Sequence, residues 1–375
     1  MEELSLRTLL LLGEATSQCD HLANSVMPPA FAQELHLILL DKGALGTTAI
    51  EGNTMTEEEV RGVIEGSRTL PPSRSYQQQE IEALVALFNQ IAEECLGQDE
   101  PPLITPKRLK LFHARLLDGQ PEKDGVIPGE LRTHSVTVGN YRGAPPEDCE
   151  YLVDRLCHWL NAMTQQSRTI GGPLGQALAI VAALLAHLYL AWIHPFGDGN
   201  GRMARLLEFD MMIRAGFPVA AAHLLSDHYN RTRDRYYAVL DQVSRGRYRV
   251  DSFVAYAVEG LVDGQRDQIH RITVMQEHVM WQSFVHQQFQ GEHTPARARQ
   301  KDLALALPVG EWTRTDDVLI LTSDIAKQYR GRTSKTVTRD LNELVKRGLV
   351  VRERGKGVRP RAELMTAFRL GRVEM

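Results

Sequence analysis

Residues 177–205 read ALAIVAALLAHLYLAWIHPFGDGNGRMAR and decide the fold class. Up to Ile193 this stretch is apolar on every side of a helix, except for His187. Such a helix either lies at the centre of a helical domain or crosses a membrane, and this one is close to the minimum length for a crossing. The residues that follow it, 194–205, distinguish the two.

The flanking sequence carries apolar residues at helical spacing, and proline or glycine separates the segments. This pattern predicts a mainly α protein. The predicted helices cover residues 30–45, 56–66, 76–95, 105–117, 147–163, 176–193, 200–215, 230–244 and 250–290.

One segment breaks the helical pattern. Residues Ser135, Val136, Thr137 and Val138 alternate in character, and Gly139-Asn140 follows them as a turn. This pattern is typical of a short β-hairpin. A connecting loop with β-branched residues explains it equally well.

Residues 194–205, HPFGDGNGRMAR, combine a base, a carboxylate, a glycine-bracketed turn and two guanidinium groups. The Gly199-Asn200-Gly201 turn can point successive backbone N–H groups into one concavity, and a helix that starts there adds its own free N–H groups. Arg202 and Arg205 are three residues apart, so both project to the same side of that helix and can grip phosphate oxygens. Asp198 can hold Mg²⁺, and His194 can take a proton from an attacking hydroxyl.

This string resembles the core motif of the Fic family, H-P-F-x-D/E-G-N-G-R-x-x-R, with every defining position filled. The resemblance covers roughly residues 30–290. It implies a Fic-type helical domain with a small β-hairpin flap, in which the helix ending at Ile193 is the buried central one, so no membrane span is expected. Most Fic proteins transfer AMP from ATP to a Ser, Thr or Tyr hydroxyl of a target protein and release pyrophosphate.

The resemblance also implies a role for each matched residue. His194 is the expected general base, and Asp198 is expected to hold Mg²⁺ between the α- and β-phosphates. The backbone of Gly199, Asn200 and Gly201 would neutralise charge on the leaving pyrophosphate, while Arg202 and Arg205 grip the β- and γ-phosphates. Because relatives form dimers, a homodimer is expected too.

Three further segments match positions of the family. The family's flap covers the active site and pairs with the target protein by strand addition, and Ser135 to Gly139 is the candidate here. Its Val136, Thr137, Val138 and Gly139 backbone would lie beside the nucleotide. Tyr236 and Ser244 occupy positions where relatives contact adenosine, although an aromatic packed on a helix explains Tyr236 as well.

An upstream segment, Thr47 to Asn53, resembles the family's inhibitory pattern [S/T]-x-x-x-E-[G/N]. In that case Glu51 would pair bidentately with Arg205 and occupy the space that the γ-phosphate needs. The alternative is a helix that ends at Gly52 with Glu51 in solvent, and both can hold together.

The C-terminal part differs in charge from the rest. The chain has 43 Lys and Arg against 47 Asp and Glu, but residues 295–375 carry 18 against 10. A short helix from Thr322, a longer one from Ser334, and a basic strand and turn near Lys356 outline a winged helix-turn-helix domain. Lys335, Thr336, Thr338, Arg339 and Lys356 would face DNA, although winged helices also dock proteins.

These patterns predict an N-terminal helical region at 1–105, a catalytic core at 106–290, a linker at 291–300 and a winged helix at 301–375. The four cysteines form no C-x-x-C pair, and the acidic start does not resemble a secretory signal, so a reducing cytoplasm is expected. Two functions stay open. One is an autoinhibited AMP transferase, and the other is a DNA-binding regulator that senses ATP without turnover.

Overall fold

The computed structural model describes residues 4–95, 101–138 and 141–365. The chain divides into two compact units, residues 1–269 and 270–375. The division falls inside one long helix. In the first unit and this helix, the structure has twelve α-helices among the described residues, which confirms a mainly α fold. They are α1 (Leu6–Ala23), α2 (Pro29–Ala49), α3 (Glu57–Ile64), α4 (Ser75–Cys95), α5 (Pro106–Leu116), α6 (Cys149–Ile170), α7 (Gly172–Ile193), α8 (Asn200–Arg214), α9 (Val219–Ala222), α10 (Leu224–Arg231), α11 (Arg233–Ser244) and α12 (Val250–Gln288).

Helix α7 is the centre of the first unit and packs against α6 and α8. Within the part of the chain that the structure describes, it is the one helix long and apolar enough to cross a membrane, and 56% of its apolar window is buried. Nearly every residue of α8 is buried as well. The loop between these two buried helices is therefore held on both sides by the core.

Helix α2 approaches α10 closely because two glycines face it. A Cβ added to Gly46 would lie 2.5 Å from the carbonyl oxygen of Ser226, and one added to Gly43 would collide with the His223 ring. Next along α2, the buried Thr47 hydroxyl bonds that of Ser226 at 3.1 Å. This close packing fixes the C-terminal end of α2 near the start of α8.

The predicted hairpin is confirmed as a two-stranded antiparallel sheet, β1 (Thr137–Val138) and β2 (Tyr141–Arg142). The buried Arg132 anchors its base, since it donates to the carbonyl oxygens of His194 at 2.7 Å and His134 at 2.7 Å. The prediction on Gly139 falls outside the described residues.

The second unit holds α13 (Pro295–Ala306), α14 (Ser323–Tyr329), α15 (Ser334–Lys346), and a hairpin of β3 (Val350–Glu353) and β4 (Gly357–Pro360). Its core includes Trp281, Leu303 and Leu341. The order of helix, helix and hairpin follows the predicted outline.

The predicted linker at 291–300 is wrong in its second half. The Thr294 hydroxyl accepts a hydrogen bond from the Arg297 backbone, Pro295 is the first residue of α13, and Leu303 of that helix is fully buried. Thr-Pro is a helix start, and the residues after it form part of the core of the second unit.

Candidate active site

The loop from His194 to Gly199 joins α7 to α8 and carries the predicted chemistry. His194 has φ 50°, and it is the one non-glycine residue with positive φ in the described ranges. Such a conformation is strained and persists only where its surroundings impose it. Here the guanidinium of Arg132 holds the His194 carbonyl from the flap side.

The imidazole of His194 is set up as a proton acceptor. Its Nδ1 lies 3.3 Å from the carbonyl oxygen of Ala191. Because a carbonyl oxygen only accepts hydrogen bonds, Nδ1 carries the proton and Nε2 keeps its lone pair. Burial lowers the pKa of His194, so the ring is neutral at pH 7.

Side-chain hydrogen bonds hold the loop from His194 to Gly199 in place; we call this loop, with the first residues of α8, the cradle loop. Asn200 accepts from the Phe196 backbone at 2.9 Å and donates back to its carbonyl at 2.8 Å. The His113 ring stacks on the Phe196 ring with 3.8 Å between their centroids. Nδ1 of His113 accepts a hydrogen bond from the Gly129 backbone, so Nε2 carries the proton and donates to the Asp198 carbonyl at 2.9 Å. The sequence analysis did not identify His113, which lies 85 residues away from Asp198 in the chain.

Asp198 and Arg202 form a second part of the site. Oδ2 of Asp198 lies 2.8 Å from Nζ of Lys123 and 3.2 Å from Nη2 of Arg202. Burial alone would raise the pKa of Asp198, but these two cations outweigh it and lower that pKa. Nη1 of the buried Arg202 lies 2.5 Å from Oε1 of Glu80, whose other oxygen accepts from Asn53 at 2.8 Å.

The donor set fits Mg²⁺ only when it arrives with a phosphate ligand. The described residues contain no group of three or more His, Cys, Asp or Glu side chains that could enclose a metal ion. Mg²⁺ is usually held by one or two carboxylates together with substrate phosphates and water. The half-buried Asp198 supplies one such carboxylate at the mouth of the cradle.

Arg205 is fully buried and faces the end of α2. Its Nη2 donates to Oε1 of Glu51 at 2.6 Å and to the carbonyl of Thr47 at 2.8 Å. The prediction of a bidentate pair is wrong, since Nη2 alone makes both bonds and Nη1 has no hydrogen-bond partner among the described residues. Burial would raise the pKa of Glu51, but Arg205 outweighs it and lowers that pKa.

The turn that carries Glu51 is fixed by further contacts. Helix α2 ends at Ala49, three residues before the end at Gly52 that the alternative interpretation proposed, and Gly52, with φ 101°, belongs to the turn that follows. The Ile50 carbonyl accepts from Arg233 at 2.7 Å and from the Tyr237 hydroxyl at 3.3 Å. Glu51 therefore both follows a helix end and pairs with Arg205.

Two cavities meet at Glu51. A cavity of about 450 Å³ is lined by His194, Arg205 and Gly201. Its lining also includes Tyr141, Trp192, Tyr236, Tyr237, Leu240, Asp241 and Ser244. A smaller cavity of about 210 Å³ contains Asp198, Arg202, Glu80 and Lys123. Since Glu51 lines both, its carboxylate separates the base from the predicted metal ligand.

The predicted adenosine contacts lie in the larger cavity, but their hydroxyl groups are already engaged. The Tyr236 hydroxyl bonds Nε2 of the buried His187 at 2.8 Å. The Ser244 hydroxyl accepts from Trp192 at 2.7 Å and donates to the Leu240 carbonyl at 2.6 Å. Of the flap, Tyr141 lines this cavity, whereas Val136 and Thr137 do not, and the Val138 side chain lies outside the described part.

Comparison with known proteins finds relatives that are named protein adenylyltransferases. Protein adenylyltransferase fic-1 of Caenorhabditis elegans is 30% identical over 253 residues, which are 68% of this chain and 45% of that protein. Protein adenylyltransferase Fic of Culex quinquefasciatus is 31% identical over 218 residues, 58% of this chain and 40% of that protein. The chain thus spans less than half the length of these relatives.

Solved structures show the same fold. A fragment of C. elegans Fic-1, residues 134–508, superposes with a TM-score of 0.56 at 25% identity, over 71% of this chain and 73% of the fragment. A Fic family protein from Desulfovibrio desulfuricans G20 superposes with a TM-score of 0.56 at 20% identity, over 96% of this chain and 97% of that one. Residues 103–211 match the Fic/DOC family, and this range includes α7, the cradle loop and most of α8. This chain therefore carries a domain of the Fic/DOC family.

Proposed function

We propose that this protein transfers AMP from ATP to a hydroxyl side chain of a target protein, and that Glu51 holds it inactive. The observation that carries the proposal is a single cavity lined by His194, by Gly201 at the start of α8 and by the buried Arg205. The relatives named as protein adenylyltransferases support the same reaction.

In this reaction His194 acts as the general base. Its Nε2 takes the proton from the target hydroxyl as the hydroxyl oxygen bonds to the α-phosphorus of ATP. The bond from that phosphorus to its bridging oxygen breaks, and pyrophosphate leaves. The lowered pKa of His194 keeps this base available at neutral pH.

The cradle stabilises the charge that grows on the leaving group. The first backbone N–H groups of α8, at Asn200 and Gly201, have no partner within the helix and would donate to the phosphates. Arg205 and Arg202 would face the β- and γ-phosphates from the same helix. Asp198 would hold Mg²⁺, which when bound neutralises part of the polyphosphate charge.

Glu51 opposes this binding in two ways. Its carboxylate occupies the Nη2 group of Arg205, which a phosphate oxygen needs. It also lies between the two cavities, so a triphosphate that reaches from His194 toward Asp198 meets a negative charge. Release of Glu51 therefore precedes productive binding in this proposal.

The target would dock as an added strand on the flap hairpin. A strand of only two residues leaves backbone N–H and C=O groups at its open edge. Strand addition uses these backbone groups, so many extended sequences can bind. Contacts outside the flap would therefore select the target protein.

Incubation with α-labelled ATP and Mg²⁺ tests the reaction. In a Glu51→Gly background, the additional substitution His194→Ala should abolish label transfer to protein. His158→Ala is the matched control, because this exposed histidine of α6 forms its ion pair with Asp154 of the same helix, away from the proposed site. Transfer that persists without His194 would contradict the proposed base, whereas nucleotide binding without any transfer would favour the sensing alternative.

A second function, DNA binding by the second unit, rests on a separate observation. Lys335 and Arg339 lie one turn apart on the exposed side of α15, and Arg354 lies in the β3–β4 turn. None of the three forms an ion pair with a described residue. The acidic residues nearby are already paired, since Asp340 is buried against Arg299, Glu343 pairs with Arg297, and Glu353 pairs with Lys356, the lysine predicted to face DNA. We infer that this basic face binds the phosphate backbone of DNA and places α15 in the major groove.

Gel-shift with random duplex DNA across a salt series tests this second function. Each lost phosphate contact should reduce the salt slope by about one, so Lys335→Ala with Arg339→Ala should reduce it by about two. Lys107→Ala, an exposed lysine of α5, is the control. No binding at low salt would leave protein docking as the role of this face.

A further inference from the structure

A buried chain of polar side chains leads from Arg205 into the core, and the proposed reaction does not use it. The Tyr236 hydroxyl lies 2.8 Å from Nε2 of His187. Nδ1 of His187 lies 3.3 Å from Oε2 of Glu208, and Oε1 of Glu208 accepts from the Tyr229 hydroxyl at 2.9 Å. His187, Glu208 and Tyr236 are each at most 2% exposed.

The carboxylate of Glu208 determines where the protons of this chain lie. Nδ1 of His187 makes no hydrogen bond to a described residue, so its contact with Glu208 is electrostatic. A lone pair on Nδ1 would repel the carboxylate, so Nδ1 carries the ring proton and Nε2 accepts. The donor to Nε2 is the Tyr236 hydroxyl, which keeps its proton because burial raises the pKa of Tyr236. The lone pairs of the tyrosine oxygen are then left for its other neighbour.

That other neighbour is Arg205. Arg205 and Tyr236 line the same cavity, and the guanidinium acts against the rise in the pKa of the Tyr236 hydroxyl. The acceptors that bond Arg205 in good geometry, Glu51 and the Thr47 carbonyl, both come from the inhibitory segment. When Glu51 moves away, the buried cation loses its nearest negative charge.

An uncompensated buried guanidinium is unfavourable and would reorient. We infer that Glu208 is a positioning residue that keeps Arg205 in place for the phosphates once Glu51 is released. It acts through His187 and Tyr236, by directing the tyrosine proton away from Arg205 and by supplying a second buried negative charge. This inference rests on the proposed phosphate-binding role of Arg205.

Nucleotide affinity tests it without any need for transfer. In a Glu51→Gly background, Glu208→Gln should weaken binding of ATP about tenfold, a change of about 1.4 kcal/mol, with little effect on AMP. AMP lacks the β- and γ-phosphates that Arg205 would face, so a general structural defect would weaken both nucleotides alike. Calorimetric titration of both nucleotides gives the ratio of ATP affinity to AMP affinity directly.

A double-mutant cycle tests the route through Tyr236. Tyr236→Phe alone should lower the ratio of ATP to AMP affinity, and Tyr236→Phe combined with Glu208→Gln should lower it no further. Asp210→Asn is the matched control, since it removes another buried carboxylate of α8, one that pairs with Arg214. This control should lower the melting temperature and leave the ratio unchanged.

Additive effects of the two substitutions, or an unchanged ratio in Glu208→Gln, would overturn the inference. If Glu208→Gln does not fold, Tyr236→Phe decides alone, because an unchanged ratio there removes the link to Arg205. If AMP transfer fails but Glu208→Gln lowers the ratio of ATP to AMP affinity as expected, the proposed function is contradicted and the positioning role is not.

Discussion

Nη2 of Arg205 lies 2.6 Å from Oε1 of Glu51, across 154 residues of chain. The guanidinium side chain is fully buried, whereas the carboxylate side chain remains 31% exposed. A phosphate that binds Arg205 must therefore displace a group that reaches in from the solvent side. The proposed autoinhibition requires such a displaceable group.

Gly201 is predicted to be intolerant of any side chain. A Cβ there would lie 2.1 Å from Oε1 of Glu51 and 3.3 Å from Nη1 of Arg205, within the space that a phosphate needs. In the Glu51→Gly background, Gly201→Ala should weaken ATP binding at least tenfold in a titration. Gly13→Ala, where a Cβ meets no atom within 4 Å, is the control and should leave the affinity unchanged. Equal affinity in both variants would exclude a phosphate from this space.

Glu80 is predicted to stabilise the fold through Arg202. The side chains of the pair are 8% and 7% exposed, and removal of one partner of a buried pair costs about 3 kcal/mol. Glu80→Gln should lower the free energy of unfolding by about that amount in urea. Asp324→Asn, which removes an exposed pair with Lys327, should change it by about 0.5 kcal/mol or less. A similar small change in Glu80→Gln would mean that Asp198 alone suffices for Arg202.

The pH dependence of transfer follows from His194. A general base must be neutral, and burial lowers the pKa of His194, so the rate should rise with pH and reach its plateau early. In the Glu51→Gly background the acid limb should have its midpoint below the ordinary imidazole value of about 6.5. Removal of Glu51 also removes a negative charge that raises the pKa of His194, so it shifts the midpoint of the acid limb to still lower pH. A midpoint above that value would assign the limb to another group.

Lys123 is predicted to compete with divalent cations for Asp198. Its ammonium lies 2.8 Å from Oδ2 and must leave that oxygen before a cation binds there. Lys123→Gln should therefore lower the Mg²⁺ concentration needed for half-maximal ATP binding. Lys110→Gln, which removes an exposed pair with Glu130, is the control. A higher Mg²⁺ requirement in Lys123→Gln would show that the lysine helps to hold the nucleotide.

The sequence was sufficient for the features that are local in the chain. The apolar helix, the cradle turn and the arginine spacing all lie within 177–205. The alternation at 135–138 left a hairpin and a loop equally open, and the family resemblance implied the hairpin. Glu80, His113 and Lys123 were not predicted, because each reaches the site from an element 75 or more residues away from its partner. Sequence spacing carries no information about such contacts.

Two predictions were wrong for identifiable reasons. The bidentate geometry of Glu51 was expected from the resemblance to the inhibitory pattern, but Nη2 of Arg205 alone donates to both Oε1 of Glu51 and the Thr47 carbonyl. The linker was assigned from small and polar residues, although Thr294-Pro295 is a helix start. In both cases a backbone group, or its capping, determined the structure.

The most direct test of autoinhibition compares AMP incorporation in the wild-type chain and in Glu51→Gly, with α-labelled ATP and Mg²⁺. Since a hydrogen bond to a charged group contributes about 1.5–3 kcal/mol, removal of Glu51 should raise the rate tenfold or more. Glu58→Gly, which removes an exposed carboxylate of α3, should not raise it. An equal rate in the wild type and Glu51→Gly would contradict the account.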